Sequence, residues 1–169
     1  FVNEVSGRDP RLAQTIRTTK GLNFSNCITG YQPHKYIVEA NLGSSAASYN
    51  DLPLFRMAEI YLNYAEAKAE LGEITQGDLD ISVNKIRARA KMPNLNLTAA
   101  NDSPDPYLSS AETGYANVTG ANKGVILEIR RERNIELVLE SQNRWWDLMR
   151  WKEGACIGQK MEGLYIPAD

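Results

Sequence analysis

The chain has 169 residues, 43% of them apolar and 24% charged, with a formal net charge of −2. This is ordinary globular usage and enough chain for one compact domain with a core. The near-neutral balance offers no basic field to nucleic acid, and no run approaches the ~20 apolar residues of a membrane span.

Residues 1–52 read as turns and extended segments. Phe1 stands first with no charged-then-apolar leader after it, so an export signal or lipid anchor is expected upstream, in an N-terminal part outside these residues. Asp9-Pro10 suits a turn or a helix start, with Asp able to cap and Pro pre-set for the first helical position. Cys27 and Cys156 lie far apart, fit no metal or redox spacing, and read as two separate thiols. The stretch 31–40 mixes Tyr, Ile and Val with Pro33 and supports at most an edge strand. Residues 43–50 have loop composition.

Helical periodicity starts after Pro53. Leu54, Ala58, Leu62, Ala65 and Ala69 recur at steps of four or three and define a buried stripe, with Gly72 as the stop. A second helix over 77–91 has Asp78 as its cap and Leu79, Val83, Ile86 and Ala90 on one face, ending at Met92-Pro93. Residues 53–93 therefore predict a helical hairpin. Residues 94–123 are rich in Asn, Asp, Ser, Pro and Gly and read as a long surface loop. Residues 124–169 supply a third helix, a short continuation and an irregular tail, with helix expected over 125–151.

The outline of residues 58–93 (helix, Gly at the turn, helix, Pro) is that of one tetratricopeptide-like unit of ~34 residues. One unit cannot bury its apolar faces alone, so neighbouring helices are expected in the missing N-terminal part. The predicted fold class is mainly α: tetratricopeptide-like hairpins (an α-α superhelix) with long irregular loops and little sheet.

Catalytic chemistry finds little support. Glu132, Glu136 and Glu140 repeat every four residues at separations glycosidase carboxylates can use. Arg130, Arg131, Arg133 and Arg144 surround them, and adjacent cations favour the ionised form, unsuited to a general acid. The simpler reading is a charge network bracing packed helices, including a Glu140–Arg144 pair four residues apart. His34 is the only histidine and stands beside Pro33 without a motif around it. Asn101, Asp102 and Asp105 lack calcium-loop spacing, and no Gly-rich phosphate loop occurs. No catalytic residue, metal or cofactor is expected. Trp145, Trp146 and Trp151 could stack on sugars, but Trp on an amphipathic helix more often fills the core, which is the reading preferred for all three.

Several runs resemble one known family. They are Arg56-Met-Ala-Glu59-Ile-Tyr-Leu62-Asn-Tyr-Ala65-Glu66-Ala67, then Asn84-Lys-Ile-Arg87-Ala-Arg89-Ala90, then Glu132-Arg133, Glu136-Leu137, Glu140 and Arg144-Trp145-Trp146-Asp147-Leu148-Met-Arg150-Trp151. With Asp9-Pro10-Arg11-Leu12 and Thr29-Gly30-Tyr31 as weaker landmarks, their order is similar to the C-terminal part of SusD/RagB proteins. Ser141 replaces a Gly common there. The resemblance implies a surface-exposed lipoprotein of the outer membrane, held by an N-terminal lipid anchor, that binds glycans or other nutrients for a SusC-like TonB-dependent transporter. A generic tetratricopeptide-like protein-interaction module is the alternative. By the same analogy ligand contacts fall on loops. Tyr31 and Tyr36, with Tyr107 or Tyr115, are the candidate stacking faces, and Asn26, Gln32 and Lys35 the nearby polar groups.

Overall fold

The computed structural model describes residues 9–17, 32, 33, 35, 51, 53–140 and 143–158. The chain divides into two units, Phe1–Pro53 with Lys160–Asp169, and Leu54–Gln159. In the first, helix α1 (Pro10–Thr15) starts at the expected dipeptide. Pro10 takes the position where a missing N–H matters least, and Asp9 Oδ1 accepts the Arg11 amide at 2.9 Å. Strand β1 (Ile16–Arg17) pairs antiparallel with β2 (Gln32–Pro33), Ile16 opposite Pro33 and Arg17 opposite Gln32. Pro33 cannot donate to a ladder, which suits an edge of two residues.

The second unit is helical. Helix α2 (Met57–Glu70) buries Leu62, Ala65, Glu66 and Ala69. It starts later than the sequence suggested. Arg56 is extended, at φ −146° and ψ 156°, and Leu54, assigned above to the buried stripe, is 85% exposed. The helix ends in a Schellman closure: Glu73 N–H donates to Lys68 O and Gly72 N–H to Ala69 O, with Gly72 at φ +77°.

The second hairpin helix differs from expectation twice. Its cap is Thr75, not Asp78; the two form a capping box, Thr75 taking the Asp78 amide while the Asp78 carboxylate takes the Thr75 amide. It is also broken, into α3 (Gln76–Ile81) and α4 (Val83–Arg89). The break sits at Ser82, fully buried, whose hydroxyl donates back to the Asp78 carbonyl and competes with the helical ladder.

The surface-loop reading of residues 94–123 needs correcting. The segment holds α5 (Leu97–Asp102) and α6 (Pro106–Ser109), and it buries Leu95, Leu108, Tyr115 and Val118. Two side-chain amides pin its start. Asn84 Oδ1 accepts the Leu95 amide at 2.6 Å, and Gln76 Oε1 accepts the Leu97 amide at 2.8 Å. These satisfy backbone that no helix or strand serves.

Helix α7 (Lys123–Glu136) is the centre of the unit, packed on α2, α5 and α6. Its own Asn122 makes no side-chain cap; instead Asn101 Oδ1, from α5, accepts the Val125 amide at 2.9 Å. The two helices approach closely enough that a Cβ on Gly124 would lie 1.8 Å from the Ala100 carbonyl oxygen. The expected run from 125 to 151 is interrupted here too. α7 stops at Glu136, Leu139 adopts φ +62°, and α8 (Asn143–Arg150) follows. Arg56 Nη2 donates to the Glu136 carbonyl at 2.7 Å, occupying an acceptor left open at the helix end. The described residues are mainly helical, with a single two-residue ladder, as the periodicity predicted.

Candidate functional site

The charged side chains of α7 and α8 face inward. Arg133 Nε donates to Asp147 Oδ2 at 2.6 Å, both groups buried, and Arg133 Nη1 to Asn63 Oδ1 at 2.6 Å. Arg150 joins the same carboxylate at 2.9 Å and grips Glu66 with two bonds, at 2.5 and 2.7 Å. The indole Nε1 of Trp151 donates to Glu66 Oε1 as well. A second cluster ties Arg56 to Glu136 and Glu140, Arg89 to Glu136, and Arg87 to Glu132. The Glu140–Arg144 pair expected from a continuous helix does not take shape, because α7 ends at Glu136 and Leu139 turns to φ +62°. Glu140 meets Arg56 instead, and Arg144 donates to the Tyr115 hydroxyl at 2.7 Å.

The surroundings move two of the carboxyls in opposite directions. Burial raises the Glu66 carboxyl, but the hydrogen bonds from Arg150 and Trp151, with the charges of Arg150 and Arg133, more than offset it and hold it below the ordinary glutamate value. Glu128 goes the other way: burial raises it despite Arg131 alongside. A glycosidase needs a protonated acid facing a second carboxylate across the substrate. Here the carboxylates facing one another across the helices share arginines, an arrangement that braces the helices.

Arg130 shows the same economy with aromatic partners. Its guanidinium lies 4.5 Å from the Trp151 ring centroid and 5.4 Å from that of Tyr115, and those two rings meet edge to face at 5.5 Å. Glu70 and Glu153 supply carboxylates at 3.3 and 3.6 Å. Cation–π contact offsets part of the cost of burying this charge. The spaced apolar residues Leu108, Tyr115 and Val118 in an otherwise polar segment were the sequence signal for this folding-back, and the loop reading missed it.

The sequence-predicted ligand residues separate. Tyr107, in the first turn of α6, is 65% exposed. Tyr115 is only 5% exposed, so it is a core ring and offers no stacking face. Tyr31 and Tyr36 lie outside the described residues, as does His34. The tryptophans also divide. Trp151 is buried as expected, but Trp145 and Trp146 are 49% and 60% exposed, contrary to the core reading. At ~100° per residue, a stripe through Leu148 and Trp151 leaves position 146 on the opposite side of the helix and position 145 at the flank of the stripe. A cleft of about 220 Å³ opens between Asn63, Glu66, Ala67, Glu70 and Arg150. That is below the ~300 Å³ at which ligand pockets usually begin, and its carboxylates are already engaged by arginines. Among the described residues no cluster of His, Cys, Asp and Glu could hold a metal ion, and no helix is long and apolar enough to cross a membrane.

No curated protein and no solved structure matches the chain. The sequence model of the SusD family (SusD/RagB) matches residues 18–165, a span that contains the hairpin, α7, α8 and the arginine–carboxylate networks between them. The chain belongs to the SusD family.

Proposed function

We propose that this protein binds a glycan or other nutrient at the outer face of the outer membrane and passes it to a SusC-like TonB-dependent transporter, as a lipoprotein anchored through residues outside this chain. The family match over residues 18–165 carries the reading. SusD-family proteins are binding components of nutrient uptake, which agrees with carboxylates committed to structural pairing. The alternative of a generic protein-interaction module explains the hairpin but not the match across the whole span.

In this reading the helices are scaffold and the ligand is met by rings on the connecting segments. Tyr107 is exposed and able to present a flat apolar face, and Tyr31 and Tyr36 are proposed for the same role. The test is a glycan-array screen of the intact lipoprotein, followed by calorimetric titration of Tyr31→Ala, Tyr36→Ala and Tyr107→Ala. Loss of affinity in at least one, with circular dichroism unchanged, supports the assignment. Absence of any glycan or other nutrient ligand for the intact protein removes the function itself.

A further inference from the structure

The tyrosines of the helical unit use their side chains differently. The Tyr64 hydroxyl donates to Asp78, and that of Tyr115 accepts from Arg144. Tyr107 makes no side-chain hydrogen bond and no ring contact among the described residues, and it is exposed. Its backbone, in contrast, is held on both sides. The Tyr107 N–H donates to Asp105 Oδ1 at 2.8 Å, and its carbonyl accepts from the Thr113 hydroxyl at 2.7 Å. The next residue is fixed as firmly. Leu108 is buried, its N–H reaches the same Asp105 oxygen at 3.3 Å, and its carbonyl accepts the Tyr115 amide at 2.7 Å. Gly114 packs so closely there that a Cβ on it would lie 2.0 Å from the Leu108 carbonyl oxygen.

Helix α6 is a single turn of four residues, too short to hold itself together in water. Its polar tie to α7 is one ion pair: Asp105 Oδ2 accepts Arg131 Nη1 at 2.9 Å. The Asp105 carboxylate thus caps α6 with one oxygen and clasps α7 with the other. Arg131 is braced in turn by Glu128, three residues earlier on α7, through its second terminal nitrogen. It cannot swing away without breaking both pairs. A fixed backbone beneath a ring that touches nothing suits a ligand contact aimed in advance, because order already present before binding is not lost on binding.

We propose that Arg131 is a positioning residue for ligand capture: through Asp105 it fixes the turn that aims the Tyr107 ring at the flat face of a pyranose. The inference rests on Tyr107 being a ligand contact, as proposed above, and adds the residue on which the aim of that ring depends. Arg131 spends both terminal nitrogens on Asp105 and Glu128, so it acts through the turn and not on the sugar. Loss of the tether lowers the share of molecules with the ring aimed, and apparent affinity falls with that share.

The test uses the intact lipoprotein and the array glycan that it binds most tightly, titrated by calorimetry. Arg131→Gln should weaken binding about fivefold, as for a turn aligned in roughly a fifth of the molecules. Asp105→Asn, which keeps a cap acceptor but removes the charge facing Arg131, should weaken it in the same direction. In the double variant Tyr107→Ala/Arg131→Gln the loss should equal that of Tyr107→Ala alone, since an absent ring cannot be aimed. Hydrogen exchange at the Tyr107 and Leu108 amides should quicken in Arg131→Gln, with circular dichroism unchanged. Unchanged affinity in both Arg131→Gln and Asp105→Asn, losses that add in the double variant, or lost affinity without faster exchange would each overturn the positioning role and leave the Tyr107 contact standing. An array without a binder, or unchanged affinity in Tyr107→Ala, would remove the Tyr107 contact and the positioning role together.

Discussion

Helix α7 buries Arg130, Glu132, Arg133 and Glu136, whereas helix α2 leaves Met57, Ile60 and Tyr64 to solvent. Charge lies inside one helix and apolar surface outside the other. Residue class therefore does not decide burial in this unit; the number of neighbours does. α7 is packed against α2, α5 and α6, and its buried Arg130, Glu132, Arg133 and Glu136 each face an opposite charge, although Nε and Nη1 of Arg130 are left without a hydrogen bond. α2 has its principal neighbour on one side. A helix enclosed all round tolerates buried charge only through such pairing, because an unpaired buried ion costs several kcal/mol.

Substitutions can break or sharpen this contrast. The largest effect should come from Asp147→Ala, which strands the buried Arg133 and removes one anchor of Arg150; urea denaturation should show a loss of ~3–5 kcal/mol. Leu127→Ala, at a fully buried position on α7, should follow at about 3 kcal/mol in the same assay. Gly124→Ala tests the close crossing of α5 over α7. The added methyl must push against the Ala100 backbone, and overpacking of this kind costs ~1–3 kcal/mol, visible as a lowered thermal midpoint.

Thr75→Ala should cost about 1 kcal/mol, the usual worth of a helix cap. It carries a titration signature as well. The hydroxyl and amide of Thr75, with the Tyr64 hydroxyl, hold the Asp78 carboxyl at about 2. A folded-state value below the unfolded one means that this contribution is fully present above the ordinary aspartate pKa of ~3.9 and is lost as pH falls toward 2. Carbon-detected NMR titration should place Asp78 near 2 in the parent and move it upward in Thr75→Ala. The smallest effect belongs to Ile60→Ala, which in this 169-residue chain should change stability by less than ~0.5 kcal/mol. A loss as large as that of Leu127→Ala would erase the contrast between the two helices.

The sequence disclosed the helical elements because their signals are local: Leu62, Ala65 and Ala69 at steps of three and four, Gly72 at a closure only Gly makes cheaply, and Arg-rich helix ends. It concealed the interruptions at Ser82 and Leu139, since each depends on a hydrogen bond or turn that composition does not announce. Leu54 and Tyr115 exchange their expected places for the same reason. Leu54 fits the helical period, but Arg56, drawn to carboxylates 80 and 84 residues away, starts the helix later. Tyr115 sits in polar surroundings, yet Arg130, Arg144 and Trp151 enclose it. Of the candidate ligand residues, Tyr107 is exposed and Tyr115 buried, while Tyr31 and Tyr36 lie outside the described residues.

The long reach of Arg56 and Glu66 also sets an order of assembly. The hairpin from Met57 to Arg89 closes through short-range contacts such as Tyr64 to Asp78, 14 residues apart, and can form early at little loop-closure cost. The grip of Arg56 on Glu136 and Glu140, and of Arg150 and Trp151 on Glu66, joins positions 80–85 residues apart. These clasps can engage only after α7 and α8 have arrived, and they bind the first helix of the unit to its last. During synthesis the hairpin therefore emerges well before its electrostatic partners, and the side of α2 that meets α7 stays uncovered until α7 reaches it.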